Sequence, residues 1–334
     1  MKVLGKKLTL AGMCLVLLAS ILAFSYFPIK SAPAASEKSD YIRYVEFNPC
    51  YSALDRALTE DIRAHEEGIE RSWIDTLAYL GAKYGGDFSR YRAQDMDDLF
   101  EKLDAGSTME ELTDSMKYYS YYQEAYGAVL DGLVGEFREE QEIDGKTVWE
   151  DRYGLKGYFP LAKNFAYEHY DDFGAQRTYG YTRPHLGHDL MAATGTPVLA
   201  IESGVVEVMG WNQYGGWRIG IRSGNGRRYY YYAHLRQNRP FAEGLQEGQT
   251  VQAGQVIGYV GHTGYSTEEN VNNIQISHLH LGLELIFDES QKESDNEIWV
   301  NLYPLTQLLS RHAGETVRNS ETKEYTRKYG FSED

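Results

Sequence analysis

The chain has 334 residues, 42% of them hydrophobic, which is enough for two domains with ordinary cores. Its 49 acidic and 33 basic side chains give a formal net charge of −16. This balance argues against a nucleic-acid partner, because phosphate binding needs clustered Lys and Arg. The two cysteines, Cys14 and Cys50, are too few for a disulfide-rich scaffold.

Residues 1–35 are predicted to form a signal peptide or a signal-anchor helix. Lys2, Lys6 and Lys7 precede an uncharged run over residues 8–27, and as a helix that run could cross about 30 Å of hydrocarbon. Ala-Pro-Ala at 32–34 also fits a signal-peptidase site, so a cleaved signal and an uncleaved anchor both remain open. Either one places the rest of the chain outside the cytoplasm, and the anchor would attach it to the membrane.

The region 41–140 is predicted to be an all-α domain of unknown role with four to six helices. Its apolar residues recur at helical spacing, as Leu54 and Leu58 do. Ser107 with Glu110 predicts a capping box at the start of one helix.

Two features of this helical region have alternative interpretations. The tyrosines over residues 118–126 could stack on sugar rings, but tyrosines at helical spacing more often pack in a core. The acids at 66–67 could include a glycosidase acid, although nothing distinguishes them from an exposed helix face.

The pattern changes after a polar stretch over residues 141–156, which is predicted to be a linker. From 157 to 310 the apolar residues follow period two, with frequent glycine. Six runs are predicted strands: 198–201, 205–208, 217–221, 228–232, 256–260 and 279–287. The sequence SGNG at 223–226 predicts a hairpin, and many short strands indicate an antiparallel all-β domain. Residues 311–334 are predicted to be a polar tail, frayed or helical.

Five of the nine histidines fall in three short motifs of the β region. These are HLGHD at 185–189, YAHL at 232–235 and SHLH at 277–280. His278 and His280 lie two residues apart on a predicted strand, so their side chains point to the same face. A His, Asp and His set can give zinc three protein ligands and leave a fourth position for water. Further histidines nearby could transfer protons or stabilise an oxyanion.

The motifs together resemble those of the M23 peptidases, the lysostaphin-like or LytM-type zinc endopeptidases that cut peptidoglycan cross-links. The resemblance covers about residues 183–305. It includes, between the histidine motifs, GTPV at 195–198, SGVV at 203–206, GQVIG at 254–258 and GHTG at 261–264. It implies a mostly β catalytic domain with an antiparallel M23-like sheet, which the helical domain and the N-terminal segment precede.

The resemblance also implies a site and an activity. In the family, the first His and the Asp of H-x-G-x-D and the second His of H-x-H bind zinc. These correspond to His185, Asp189 and His280, and the two catalytic histidines correspond to His234 and His278. The implied enzyme is a zinc metalloendopeptidase that hydrolyses peptide stems or cross-bridges of peptidoglycan, through metal-activated water, at the cell membrane or in the cell wall.

Three departures and two alternatives accompany the resemblance. His188 stands where the family usually has an apolar residue, and is expected to line the site or face a neighbouring strand. Insertions over 265–276 and 288–297 are expected to form walls of the substrate groove. A non-catalytic scaffold or activator of another wall enzyme is the alternative function, although no ligand position is missing. A lipoyl-type carrier is excluded, because no lysine lies between Lys163 and Lys292.

Overall fold

The computed structural model describes residues 42–292 and 294–333, and the predicted signal segment therefore lies outside the described residues. From Ile42 onward the chain forms one compact unit. Among the described helices, none combines the length and the apolar composition needed to cross a membrane.

Among the described residues, five α-helices precede the first strand, which confirms the predicted four to six, and a sixth lies between the fourteenth and fifteenth strands. They are α1 Tyr51–Glu66, α2 Trp73–Tyr84, α3 Ala93–Asp104, α4 Met109–Thr113, α5 Tyr119–Leu130 and α6 Tyr303–Leu309. The capping box lies one residue later than predicted: the Thr108 hydroxyl accepts from the Glu111 N–H, and the Glu111 carboxylate accepts from the Thr108 N–H. The sequence carries the same four-residue pattern at both positions, and the backbone uses the second.

The tyrosine run over 118–126 contributes mainly to packing. Tyr126 is buried against Phe47 and Phe88, and the Tyr119 hydroxyl donates to Asp75. The acids at 66–67 lie exposed at the end of α1.

The described residues also form seventeen strands. They are β1 Val134–Ile143, β2 Lys146–Leu155, β3 Tyr167–His169, β4 Gln176–Tyr179, β5 Tyr181–Pro184, β6 His188–Ala192, β7 Pro197–Leu199, β8 Gly204–Asn212, β9 Gly216–Ser223, β10 Arg228–Ala233, β11 Thr250–Val251, β12 Val256–Tyr259, β13 His278–Leu285, β14 Ile298–Trp299, β15 Thr316–Arg318, β16 Tyr325–Arg327 and β17 Phe331–Ser332. All six predicted strands are present, with shifted ends.

An antiparallel sheet forms the centre of the β region. Its strand order is β11-β8-β9-β10-β13-β6-β3, and β14 pairs with β13. The SGNG turn joins β9 to β10 as a hairpin, as predicted. The strands that carry the histidine motifs, β6, β10 and β13, are adjacent in this order, so the sheet brings together residues far apart in the sequence.

The predicted linker over 141–156 is wrong, because most of it belongs to a β-hairpin. β1 and β2 pair over ten residues, and Asp144 and Gly145 form the turn with φ of 51° and 74°. Positive φ at both central residues is what a tight hairpin turn requires, and Asp-Gly is a common sequence there. The ribbon is largely exposed, so its polar composition concealed the strand pattern.

The predicted frayed or helical tail over 311–334 is also wrong. The strand β17 pairs with β1. Phe331 is buried, with its ring centroid 5.5 Å from that of Phe137 and 5.6 Å from that of Tyr158. Backbone pairing with β1 and the packing of Phe331 together hold the C-terminal segment against the hairpin.

The helices and the central sheet share one hydrophobic core. Leu54 and Leu130 from the helices belong to the same buried cluster as Ile201 and Leu309 from the β region. A buried ion pair also joins the two regions: Arg228 is 1% exposed and donates to Glu202 at 2.6 and 3.0 Å and to the Ala128 carbonyl at 3.0 Å. The boundary predicted between a helical and a β domain is therefore not a boundary between two cores.

Replacing Glu202 by alanine should destabilise the protein by about 3 kcal/mol or more, because the buried Arg228 guanidinium would lose its counter-charge. The free energy of unfolding, measured by denaturant titration, checks this. The double variant Glu202→Leu with Arg228→Met is the control, and it should recover most of the loss because neither charge remains buried. A cost below about 1 kcal/mol for the single variant would contradict the importance of the pair.

Candidate active site

One face of the central sheet collects the predicted site residues. Asp189 on β6 and His280 on β13 are register partners, and His278 lies two residues before His280. Since alternate residues of a strand point to the same face, these three side chains share one side of the sheet. His185 precedes β6, and His234 follows β10 directly.

Three of these residues bring potential metal ligands together. One ligand atom each from His185, Asp189 and His280 lies within 4.8 Å of the other two. His185 Nε2 is 2.7 Å from His280 Nδ1, and Asp189 Oδ1 is 3.2 Å from the first and 3.4 Å from the second. Two imidazoles and a carboxylate form a donor set suited to zinc.

The Asp189 carboxylate indicates that a cation fits there. Asp189 Oδ1 is buried and has no hydrogen-bond partner among the residues that the structure describes. Burial raises the pKa of Asp189, but interactions with His185 and His280 outweigh it and lower the pKa below its usual range. A buried, ionised oxygen without a donor is costly unless a positive charge lies beside it.

Two residues outside the sequence motifs orient this cluster. The carboxylate and the carbonyl of Asp172 lie 3.3 and 3.2 Å from His185 Nδ1, and Nε2 faces the cluster. Arg177 Nη2 donates to Asp189 Oδ2 at 3.0 Å. Burial lowers the pKa of His185, but Asp172 and Asp189 outweigh it and raise the pKa to about 9.

His234 and His278 are held in the same way as each other. A backbone carbonyl accepts from Nδ1 in both: the carbonyl of Thr263 at 2.9 Å from His234 and that of Ile276 at 2.8 Å from His278. Carbonyls only accept, so both rings carry the Nδ1 proton and leave Nε2 free. The ring centroids are 4.8 Å apart, and His278 Nε2 is 3.6 Å from Asp189 Oδ1. Burial lowers the pKa of His234 well below its ordinary value.

Gly187 is required by a close approach of two strands. A Cβ at this position would lie 2.4 Å from the Leu281 carbonyl oxygen and 2.8 Å from His280 Cε1. The absence of a side chain therefore lets the segment with His185 lie directly against β13.

A groove of about 560 Å³ contains all five predicted site residues. Both predicted insertions contribute to its lining, with Tyr265 and Ile274 from the first and Lys292 and Glu297 from the second. Tyr179 stacks on Tyr265 with ring centroids 4.8 Å apart, which ties the β4–β5 hairpin to that lining. The five residues therefore face one open space large enough for a peptide.

The other histidines lie outside this groove. His188 is fully buried on the opposite face of β6 from Asp189, with its ring centroid 4.7 Å from that of His169. It therefore faces a neighbouring strand, which is one of the two predicted positions. His262 Nδ1 donates to the Ile274 carbonyl at 2.9 Å, because a carbonyl oxygen can only accept. His65 stacks on Tyr153.

The region around the groove is similar to known proteins. Residues 183–292 match the model of peptidase family M23. The L-Ala–D-Glu endopeptidase of Bacillus subtilis is 36% identical over 181 residues, which are 51% of this chain and 54% of that protein. Lysostaphin of Staphylococcus staphylolyticus is 39% identical over 89 residues, 26% of this chain and 18% of that protein. The peptidoglycan DD-endopeptidase ShyC of Vibrio cholerae is 36% identical over 88 residues, 26% of this chain and 19% of that protein.

The chain spans about half or less of the length of these relatives. A solved structure supports the fold over a longer range. The LytM protein of Ruminococcus gnavus superposes with a TM-score of 0.54 at 24% identity, over 82% of this chain and 92% of that one. The predicted M23-like, mostly antiparallel β fold with a helical region before it is thus confirmed.

Proposed function

We propose, from the peptidase family M23 domain that residues 183–292 form, that the protein is a zinc endopeptidase acting on the peptides of bacterial peptidoglycan. The observation that carries this proposal is the convergence of His185, Asp189, His280, His234 and His278 in one groove. The relatives named for peptide-bond cleavage, one of them for peptidoglycan, support the substrate class. A non-catalytic scaffold would not need all five groups at these distances.

His185 Nε2, Asp189 Oδ1 and His280 Nδ1 would hold the metal. Zinc bound there would supply polarisation of a peptide carbonyl and a lower pKa for water. Asp172 and Arg177 would fix the direction of the first two ligands, because hydrogen bonds to the far side of a metal ligand set its orientation.

His234 and His278 would handle protons in the reaction. Their Nε2 atoms are free while their Nδ1 protons are anchored to carbonyls, so each ring can accept a proton without turning. The low pKa of His234 keeps its imidazole neutral at neutral pH. The pair would take the proton of the attacking water, stabilise the tetrahedral oxyanion and return the proton to the leaving amine.

Location and partners follow from the same proposal. Peptidoglycan lies outside the cytoplasm, which agrees with the export predicted from residues 1–35. We infer that the protein acts at the cell membrane or in the cell wall, with the peptide stems or cross-bridges as its partners. Bulk charge would not draw it to an anionic wall, because its own net charge is −16.

Digestion of purified peptidoglycan tests the proposed function. The zinc-loaded protein should release fragments whose masses show new peptide ends and an intact glycan chain, and mass spectrometry would also identify the bond. A zinc chelator should stop the release, and added zinc should restore it, since the ligand set alone supplies no Lewis acid. A zinc-loaded protein that leaves the peptides intact would refute the proposal.

A further inference from the structure

A buried acid lies in the groove, away from the predicted catalytic groups. Glu284 is on β13 with His280, and because the two are four positions apart they point to the same face of the sheet. Its side chain lines the groove, yet the residue is 2% exposed. Its Oε1 atom has no hydrogen-bond partner among the described residues. A buried carboxyl oxygen normally accepts a hydrogen bond. The donor that Glu284 lacks would therefore come from a bound ligand.

A second acid faces the same part of the groove. Glu297 comes from the insertion before β14, lines the groove and accepts a hydrogen bond from Trp299 Nε1 at 2.8 Å. Within the described part of the chain, neither Glu284 nor Glu297 forms an ion pair. Lys292 and Arg222, whose charges act on Glu284, are both paired with Glu207. Two acidic side chains therefore meet at this end of the groove, which Arg218 and Lys292 also line.

The position of these acids suits an extended peptide. Between His280 and Glu284, Gly282 leaves room for the Trp299 ring, which a Cβ at that glycine would meet at 2.7 Å. The indole therefore forms a flat floor between the two residues. Four residues of a strand span about 13 Å, which is three or four residues of a peptide lying alongside it.

We propose that Glu284 and Glu297 bind a primary ammonium group of the peptide substrate, such as the side-chain amine of a diamino acid. This inference rests on the proposed function, of which it specifies one substrate feature. An ammonium group carries three donors and one positive charge, which match the free Glu284 oxygen and the two acids that meet there. A carboxylate or phosphate of the substrate would be repelled. A metal ion is less suitable, because only two acidic side chains meet there.

The pKa of Glu284 agrees with this assignment. Burial and the nearby Glu297 charge raise it to about 8. Without a ligand, the site therefore disfavours the ionised form of Glu284 beside the Glu297 charge. A cationic ligand would favour the ionised form by pairing with it.

Chemical modification of the substrate gives a direct test. Purified peptidoglycan containing free amines is divided into three portions: untreated, reductively methylated and acetylated. Methylation enlarges the amine and keeps its charge, whereas acetylation removes the charge. The unaltered protein should cleave the first two at similar rates and the acetylated portion about tenfold more slowly, because a charge-assisted hydrogen bond is lost.

Variants locate the effect. Glu284→Gln should cleave the untreated portion about tenfold more slowly than the unaltered protein and should lose the preference against acetylation. Glu297→Gln should also lower the cleavage rate and weaken the preference against acetylated substrate. This variant replaces Glu284→Gln in the test if Glu284→Gln does not fold. Glu289→Gln is the charge-matched control: Glu289 has an exposed side chain that pairs with Arg222, and its loss should leave the preference intact.

The outcomes separate the two proposals. Equal cleavage of all three portions, or an unchanged preference in both Glu284→Gln and Glu297→Gln, would overturn the ammonium site and leave the endopeptidase function standing. No cleavage of any portion by the unaltered protein would refute the endopeptidase function itself. A second zinc ion that is lost in Glu284→Gln would also overturn the ammonium site, in favour of a metal.

Discussion

Protein carrying His280→Ala should purify without stoichiometric zinc and should release nothing measurable from peptidoglycan. His280 Nδ1 lies 2.7 Å from His185 Nε2 and 3.4 Å from Asp189 Oδ1, so it is at the centre of the donor set. Its removal leaves one imidazole and one carboxylate, too few for a stable zinc site. Loss of the metal removes several kcal/mol of transition-state stabilisation, which corresponds to a fall in rate of roughly 10³-fold or more.

Elemental analysis of zinc and a dye-release assay measure the two effects of this substitution. The matched control is His65→Ala, which removes a half-exposed imidazole that stacks on Tyr153 in the helical region. That variant should keep its zinc and its activity. The ligand assignment would be refuted if the His280→Ala protein retained one zinc per chain and hydrolysed peptidoglycan normally.

Protein carrying His234→Asn should behave differently: it should keep its zinc while its rate falls roughly 10²- to 10⁴-fold, the range for loss of a general acid–base group. Asparagine is preferred to alanine because His234 has a positive φ of 59°, which Asn tolerates better than other non-glycine residues. The Asn amide can also donate to the Thr263 carbonyl, as His234 Nδ1 does.

The comparison of zinc content with rate is what tests the assignment of His234. His262→Asn is a suitable control, because His262 also donates from Nδ1 to a backbone carbonyl but lies outside the groove lining. Full activity in His234→Asn would remove His234 from the proposed proton-transfer pair. Loss of zinc from His234→Asn would place it among the ligands instead.

The sequence motifs predicted the central residues of the site because strand geometry makes them predictable. His278 and His280 share a face by the alternation of a strand, and antiparallel pairing with β6 places Asp189 opposite His280. Asp172 and Arg177 were missed, since no spacing rule connects residues six or more positions before the HLGHD motif to it. Their roles depend on how the hairpin of β4 and β5 folds back on the site.

Glu284 was missed for a different reason. It lies in the sequence HLHLGLEL, and a single acid in a strand that is otherwise apolar apart from the histidines indicates a functional residue. Its period-two relation to His280 could have placed it on the groove face. Its lack of a partner and the approach of Glu297 depend on the insertion, and no local pattern shows them.

The errors along the rest of the chain came from polar segments. The hairpin of β1 and β2 has few apolar residues, so composition suggested a linker, although Asp144-Gly145 was a hairpin signal. The C-terminal segment is polar except for residues such as Phe331, whose burial depends on a surface provided by Phe137, almost 200 positions earlier. Pairing over such a distance cannot be read from local periodicity.

The shared core of the helices and the central sheet limits how this protein could be activated. Proteolytic removal of the helices would expose Ile201 and Leu309 to water and would leave the Arg228 guanidinium without its contact to the Ala128 carbonyl. The remaining fragment would have lost part of its own interior, so it would aggregate or unfold rather than mature. The helices therefore cannot serve as a disposable propeptide, and heating should melt them together with the peptidase region in one cooperative transition.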